Sequence, residues 1–162
     1  KVLVLDKREV ESCILRVAGF KEVIAKHNAS AASGKIEIVA ELPGAGQKIK
    51  GRETTQAAMQ SHPDLAGIFA INDPSGLGAY SALEEAGKAD QVKIIAFDGQ
   101  PEGKRAIKDG KIYADPVQFP DRLGRETAKT IIAYFNGEEV APEQLIPTEL
   151  YRKADAEKDP SL

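Results

Sequence analysis

The sequence predicts an α/β fold in three layers, a parallel sheet sandwiched between helices, and three observations predict it. Short β-rich apolar runs alternate with helical patterns along the whole chain. Three of these runs, Val2–Asp6, Gly67–Ile71 and Val92–Phe97, are apolar without clean alternation, as strands buried on both faces are. Strand–helix alternation at this pace requires right-handed crossovers between parallel strands.

Each element follows in order. After Val2–Asp6, the residues Val10, Cys13, Ile14, Val17 and Ile24 keep the three-four spacing of a helix with one buried stripe. Ile36–Glu41 reads as the second strand, and residues Gln47 to Ser61 as a helix that stops before Pro63. The strand Gly67–Ile71 leads into a helix from Pro74 to Ala86, with the proline in its first turn and Gly87 at the C′ position. Val92–Phe97 precedes a short helix, Pro101 to Asp109, closed by Gly110. In the next strand, Ile112–Gln118, the pair Asp115–Pro116 predicts an edge position, because proline removes a ladder donor. The helix Asp121 to Asn136 places Ala128, Ile131, Ile132 and Phe135 on one face and ends at Gly137. Leu145–Leu150 completes the strands. The tail "RKADAEKDPSL" is charged, has no apolar face and is expected to fray.

Bulk properties exclude several classes. A net charge of −3 offers no basic excess for nucleic acid, and no apolar run approaches that of a membrane helix, roughly 18 residues. The single Cys13 excludes an internal disulfide and a multi-cysteine metal site. The chain enters its first strand directly from Lys1, and Met59 is its one methionine, which reads as an excised or processed piece of a longer molecule.

Ligands of parallel sheets sit beyond the carboxyl ends of the strands, and three strands here end on polar side chains: Asn72, Asp98 and Gln118. Asparagine and glutamine donate and accept hydrogen bonds, while a carboxylate accepts two strong ones from hydroxyl groups. That set suits a neutral polyhydroxylated ligand better than a catalytic cycle. Asn72 and Asp98 also fit the simpler role of helix caps. Gln118 does not, since glutamine caps poorly. Asp73, directly before Pro74, suits the cap, which would leave Asn72 to reach outward.

Other motifs carry less. "GAG" at 44–46 has Ile49 where a dinucleotide fingerprint needs its third glycine. "ASGKIE" lacks the upstream glycine of a phosphate loop and leads into a strand. His27 and His62 stand near helix ends without a carboxylate or cysteine cluster, so no metal site is expected. No serine occupies a nucleophile elbow, and Lys104, Lys108 and Lys111 read as a solvated face.

Four segments together, "RVAGF", "HPDLAGIFAINDPSGLGAYSALEEAGK", "VKIIAFDGQPEGKRAIKDGKIYA" and "VQFPDRLG", resemble the second half of periplasmic sugar-binding proteins of the ribose-binding type. The related effector lobes of the lactose-repressor family are also similar. The resemblance implies a flavodoxin-like lobe, one of two that close on a sugar, with no enzymatic activity and no cofactor. It assigns ligand contacts to Arg16, Asn72, Asp98 and Gln118. It divides the chain into a ligand-binding lobe (1–119), a crossover helix that packs on the other lobe (120–140), a return strand through the hinge (141–152) and a flexible tail (153–162). It implies a monosaccharide or polyol as ligand, a membrane ABC permease and the N-terminal lobe as partners, and a periplasmic or other extracytoplasmic location. The segment after Asp98 resembles transport proteins more than repressors; a transcription-regulator lobe, a chemoreceptor ligand or a quorum-signal-binding protein are the alternatives. Gly46 departs from the pattern, standing where close relatives often carry an aromatic ring, which argues against a stacked ribose at that wall. Without its native partner lobe, the helix 121–136 is expected to dock on its own sheet, to dimerise, or to belong to a longer molecule. The half alone is expected to bind sugar weakly.

Overall fold

A computed structural model describes all 162 residues. Strands β1 (Val2–Asp6), β2 (Ile38–Pro43), β3 (Gly67–Ala70), β4 (Lys93–Ile95) and β5 (Ala114–Val117) are parallel. A sixth strand, β6 (Glu149–Arg152), pairs antiparallel with β5, so the sheet is mixed at one edge and not wholly parallel as expected. The strand order is β2-β1-β3-β4-β5-β6.

Right-handed crossovers then decide which face each helix covers. The step from β1 to β2 runs one way along the sheet, and the three later steps run the other way. Helix α1 (Glu11–Ser30) therefore lies alone on one face, while α2 (Lys48–Ser61), α3 (Asp73–Glu85) and α4 (Pro101–Lys108) cover the opposite face. The cores follow that division. Leu3, Leu5, Ile68, Ile94, Leu83 and Ile107 belong to the larger cluster, whereas Val4, Phe69 and Ile71 meet Cys13 and Val17 of α1. Phe20 of α1 stacks on Phe69 with ring centroids 4.3 Å apart. Ile14, expected in the buried stripe, is exposed; the seam runs along Cys13, Val17, Phe20 and Ile24 instead.

Pro116 is not at an edge. Strand β5 lies between β4 and β6, and the missing donor is absorbed in another way. The amides of Ala96 and Asp98 donate to the carbonyls of Ala114 and Pro116, each at 3.2 Å. A residue in a parallel ladder donates toward the same neighbour from which it accepts, so the proline deletes one rung toward β4. Regular pairing of β4 stops at Ile95 and resumes as a single bridge between Asp98 and Val117. The chain is free to kink between them.

Further expectations change toward the end of the chain. The tail does not fray: α6 (Lys153–Ala156) buries Ala156 completely, and the Tyr151 hydroxyl donates to Asp159 at 2.8 Å. Lys104 reaches the same carboxylate at 3.3 Å and Lys108 donates to the Leu162 carbonyl, so two of the three lysines fasten the tail to α4. Residues 145–148 lie outside regular structure, ahead of β6. The segment runs back along α5 (Pro120–Phe135), where Gln144 donates to the Thr130 hydroxyl at 3.0 Å. Helix α5 buries none of its residues, and Ile131, Ile132 and Phe135 stand exposed, so it does not dock on its own sheet.

Candidate ligand-binding site

Two of the expected residues, Arg16 and Gln118, meet on the carboxylate of a third, Asp98, at the carboxyl ends of the strands. The Arg16 guanidinium extends from α1 over these ends, with Nη2 3.0 Å from Asp98 Oδ1 and Nη1 donating to the Ile71 carbonyl at 2.5 Å. Its Cζ lies over the Phe97 ring, 4.0 Å from the centroid, a cation–π contact that supports the side chain. Gln118 Nε2 donates to Asp98 Oδ1 at 2.6 Å, and Gln100 Nε2 approaches Oδ2 at 3.4 Å. The side chains of Arg16 and Asp98 are 12% and 20% exposed, held firmly yet reachable from beyond the sheet edge.

Asn72 sits beside this group, one residue after the carbonyl that Arg16 binds. The cap expected of Asp73 falls to Asn72 instead, and Asp73 turns inward. Asn72 is the N-cap of α3, its Oδ1 accepting from the Ser75 amide at 3.1 Å, and its Nδ2 donates to the Gly46 carbonyl at 3.2 Å. Asp73 points down into the protein, where the Gln100 amide donates to it at 2.7 Å. Gly46 has φ +68, and a Cβ there would stand 3.1 Å from Asn72 Nδ2. The turn that lacks the expected ring thus holds Asn72 through its backbone.

Asp98 itself has φ 106, a left-handed conformation that costs a non-glycine residue of the order of 1–3 kcal/mol. Gly99 follows with φ 70, and a Cβ there would fall 2.5 Å from the Val117 side chain. Together they turn the chain sharply after the broken ladder and present the carboxylate to Arg16 and Gln118.

Sequence reasoning missed Phe97, Gln100 and the pair Asp73–Asp115. The signal for Phe97 was available, since an aromatic directly before a strand-end carboxylate is placed to support a cation. Asp115 was read only as the partner of an edge proline, though it is wholly buried. A second missed group closes β1: Asp6 accepts from Lys7 N and Arg8 Nε, and Arg8 continues to Glu41 at 3.0 Å. These charges satisfy one another, with Lys21 also paired to Glu41, and Arg8 ties the end of β1 to β2. Beside Arg16 and Gln118, an open apolar groove of about 1040 Å³ runs over the α1 face, lined by Leu15, Val23, Phe97, Phe119, Leu123 and Leu150 among others.

The strand order, the crossovers and the polar strand ends define the class, an α/β sheet that matches the lobes of periplasmic binding proteins. The chain belongs to the periplasmic binding protein domain family, whose pattern matches residues 2–139. The ribose import binding protein of Escherichia coli is 38% identical over 125 residues, 77% of this chain and 40% of that protein. The D-ribose/D-allose-binding protein of Pseudomonas aeruginosa is 36% identical over 121 residues, 73% of this chain and 36% of that protein. The chain thus spans about two fifths of the length of these relatives. Among solved structures, a Mycobacterium smegmatis protein in complex with β-D-fucofuranose superposes with a TM-score of 0.83 at 30% identity, over 97% of this chain and 50% of that one. A solute-binding protein of Actinobacillus succinogenes with bound D-allose shares the fold, with a TM-score of 0.88 at 23% identity, over 98% of this chain and 54% of that one. The homologues are import and periplasmic binding proteins, and no helix of this chain is long and apolar enough to cross a membrane.

Proposed function

We propose that this chain is the C-terminal lobe of the sugar-binding component of an ABC importer, and that Arg16, Asn72, Asp98 and Gln118 form one wall of its cleft. The observation that carries the reading is the convergence of a guanidinium and an amide on one carboxylate at the strand ends. Such a cluster offers charge-assisted acceptors and donors to adjacent hydroxyls of one sugar, and it is already held in place before the ligand arrives. The protein binds and releases; it carries out no chemistry. Residues 1–119 make this lobe, 120–140 cross to the other lobe, and 141–152 return through the hinge. The exposed stripe of α5 supports that division, since a helix of this composition is expected to cover its apolar face. The ligand is a monosaccharide or polyol, delivered outside the cytoplasm to a membrane permease.

A thermal-shift series on the full-length protein with D-ribose, D-allose and myo-inositol tests the reading. At least one should raise the melting temperature, and Asp98→Ala should abolish that rise. An undiminished rise in the variant would remove Asp98 from the site.

A further inference from the structure

Directly beneath the Asp98 turn, two carboxyl groups face one another in the interior. Asp115 is 0% exposed and Asp73 1%. Each has one oxygen anchored on the turn: Asp73 Oδ2 accepts from the Gln100 amide at 2.7 Å, and Asp115 Oδ2 from the Gly99 amide at 3.1 Å. The remaining oxygens, Oδ1 of both, are buried and accept no hydrogen bond from any other group, and the two side chains are within reach of each other. Helix α4 closes over them so tightly that a Cβ on Gly103 would lie 2.3 Å from the Asp73 carboxyl.

We propose that Asp73 and Asp115 share one proton, and that this acid–carboxylate pair is the clamp that positions the Asp98 carboxylate. Two buried anions in contact repel each other and lack solvation; one proton between them satisfies both orphaned oxygens. The charged groups that face the pair are Asp98 from the β4–α4 turn and Arg16 from α1, and Arg16 is already engaged by Asp98 and the Ile71 carbonyl. Burial is the main force on their protons, and the hydrogen bond between them comes next, lowering Asp73 and raising Asp115: Asp73 stands above the ordinary carboxyl range and Asp115 is pushed up to about 9. The clamp acts on residues 99 and 100, immediately after the left-handed Asp98. It holds that strained conformation from below while Arg16 and Gln118 hold the carboxylate from above. Asp73 and Asp115 are positioning residues in this account, which rests on the reading of Asp98 as a ligand group.

The sign of the pH dependence follows from the raised values. The folded state keeps a proton that the unfolded chain releases near pH ~4. The stability contributed by the pair is complete below that pH and is lost progressively as pH rises toward about 9.

The test uses Asp115→Asn, Asp73→Asn and the double variant in the full-length protein. An asparagine at 115 accepts from the Gly99 amide and donates to Asp73 without needing a shared proton. The wild type should lose about 5 °C or more in melting temperature between pH 6 and pH 9, and Asp115→Asn less than half of that loss. The double variant sets two amide NH₂ groups against each other, so its loss should exceed the sum of the single losses. Hydrogen exchange of the Gly99 and Gln100 amides should accelerate in the double variant and stay slow in Asp115→Asn. Equal pH slopes in wild type and Asp115→Asn, or additive losses, would overturn the proposal. So would stabilisation by added Ca²⁺ that a chelator reverses, because a metal would then stand where the proton is placed. None of these readouts needs sugar. A wild type that responds to no sugar while the slopes and exchange behave as stated breaks the binding reading and leaves the clamp intact.

Discussion

On one face of the sheet, Leu3, Leu5, Ile68 and Ile94 are sealed beneath α2, α3 and α4; on the other, Val4, Phe69 and Ile71 meet only α1, and Phe97 and Leu150 line an open groove. The same strands build both faces. The difference comes from topology: with the order β2-β1-β3-β4-β5, right-handed crossovers put one helix on the first face and three on the second. Cohesion is therefore concentrated on the closed face. The candidate site straddles the two, since Arg16 comes from the open-face helix and the Asp73–Asp115 pair from beneath α3 and α4. Asp98 is the point where the two faces are tied together.

The largest test of this contrast is a pair of truncations. Leu83→Ala, at a side chain 0% exposed on the closed face, should cost about 2–5 kcal/mol in denaturant unfolding. Val23→Ala, at a side chain 66% exposed beside the groove, should stay within about 0.5 kcal/mol. Comparable losses at both positions would mean that the open face is covered in solution.

A smaller effect is expected where apolar surface is exposed and nothing in the chain covers it. Phe135 is 81% exposed at the end of α5, in line with Ile131 and Ile132. Replacing Ile132 and Phe135 together by serine should leave the unfolding midpoint of this chain nearly unchanged. Binding of a hydrophobic dye should fall. A large loss of stability would show that the stripe is packed.

How far the sequence could be read follows the same divide. Parallel strands buried on both sides announce themselves as apolar runs, so β1 and β3, and the helix α3 that follows β3, were legible nearly to the residue, while α1 was legible as a helix with Cys13, Val17 and Ile24 buried but not Ile14. The resemblance pointed to Arg16, and the polar strand ends to Asn72, Asp98 and Gln118, all of which the fold brings to one edge. Features set by a neighbour from elsewhere in the chain were not legible. Pro116 looked like an edge marker because the return of β6 depends on the path along α5, which local patterns do not encode. The cap fell to Asn72 and not to Asp73 because the partners that draw Asp73 inward, the Gln100 amide and Asp115, stand 27 and 42 positions later. The tail looked disordered because its binding groups, Tyr151 and Lys104, lie outside it.

That tail gives the smallest and most local prediction. The Tyr151 phenol is pushed up to about 12, first by burial and then by its hydrogen bond to Asp159, whose carboxyl is in turn held well below the usual range by Ser161, Tyr151 and Lys104. The neutral phenol donates and the carboxylate accepts, so the contact is complete below the ordinary tyrosine range and is lost as pH rises through about 12. Asp159→Asn removes the anion and keeps the shape. Ultraviolet titration should then find the Tyr151 phenol ionising at lower pH, with α6 still folded by circular dichroism. An unchanged titration would assign the shift to burial alone, and the tail would then be held by the packing of Ala156 and not by the charges around Asp159.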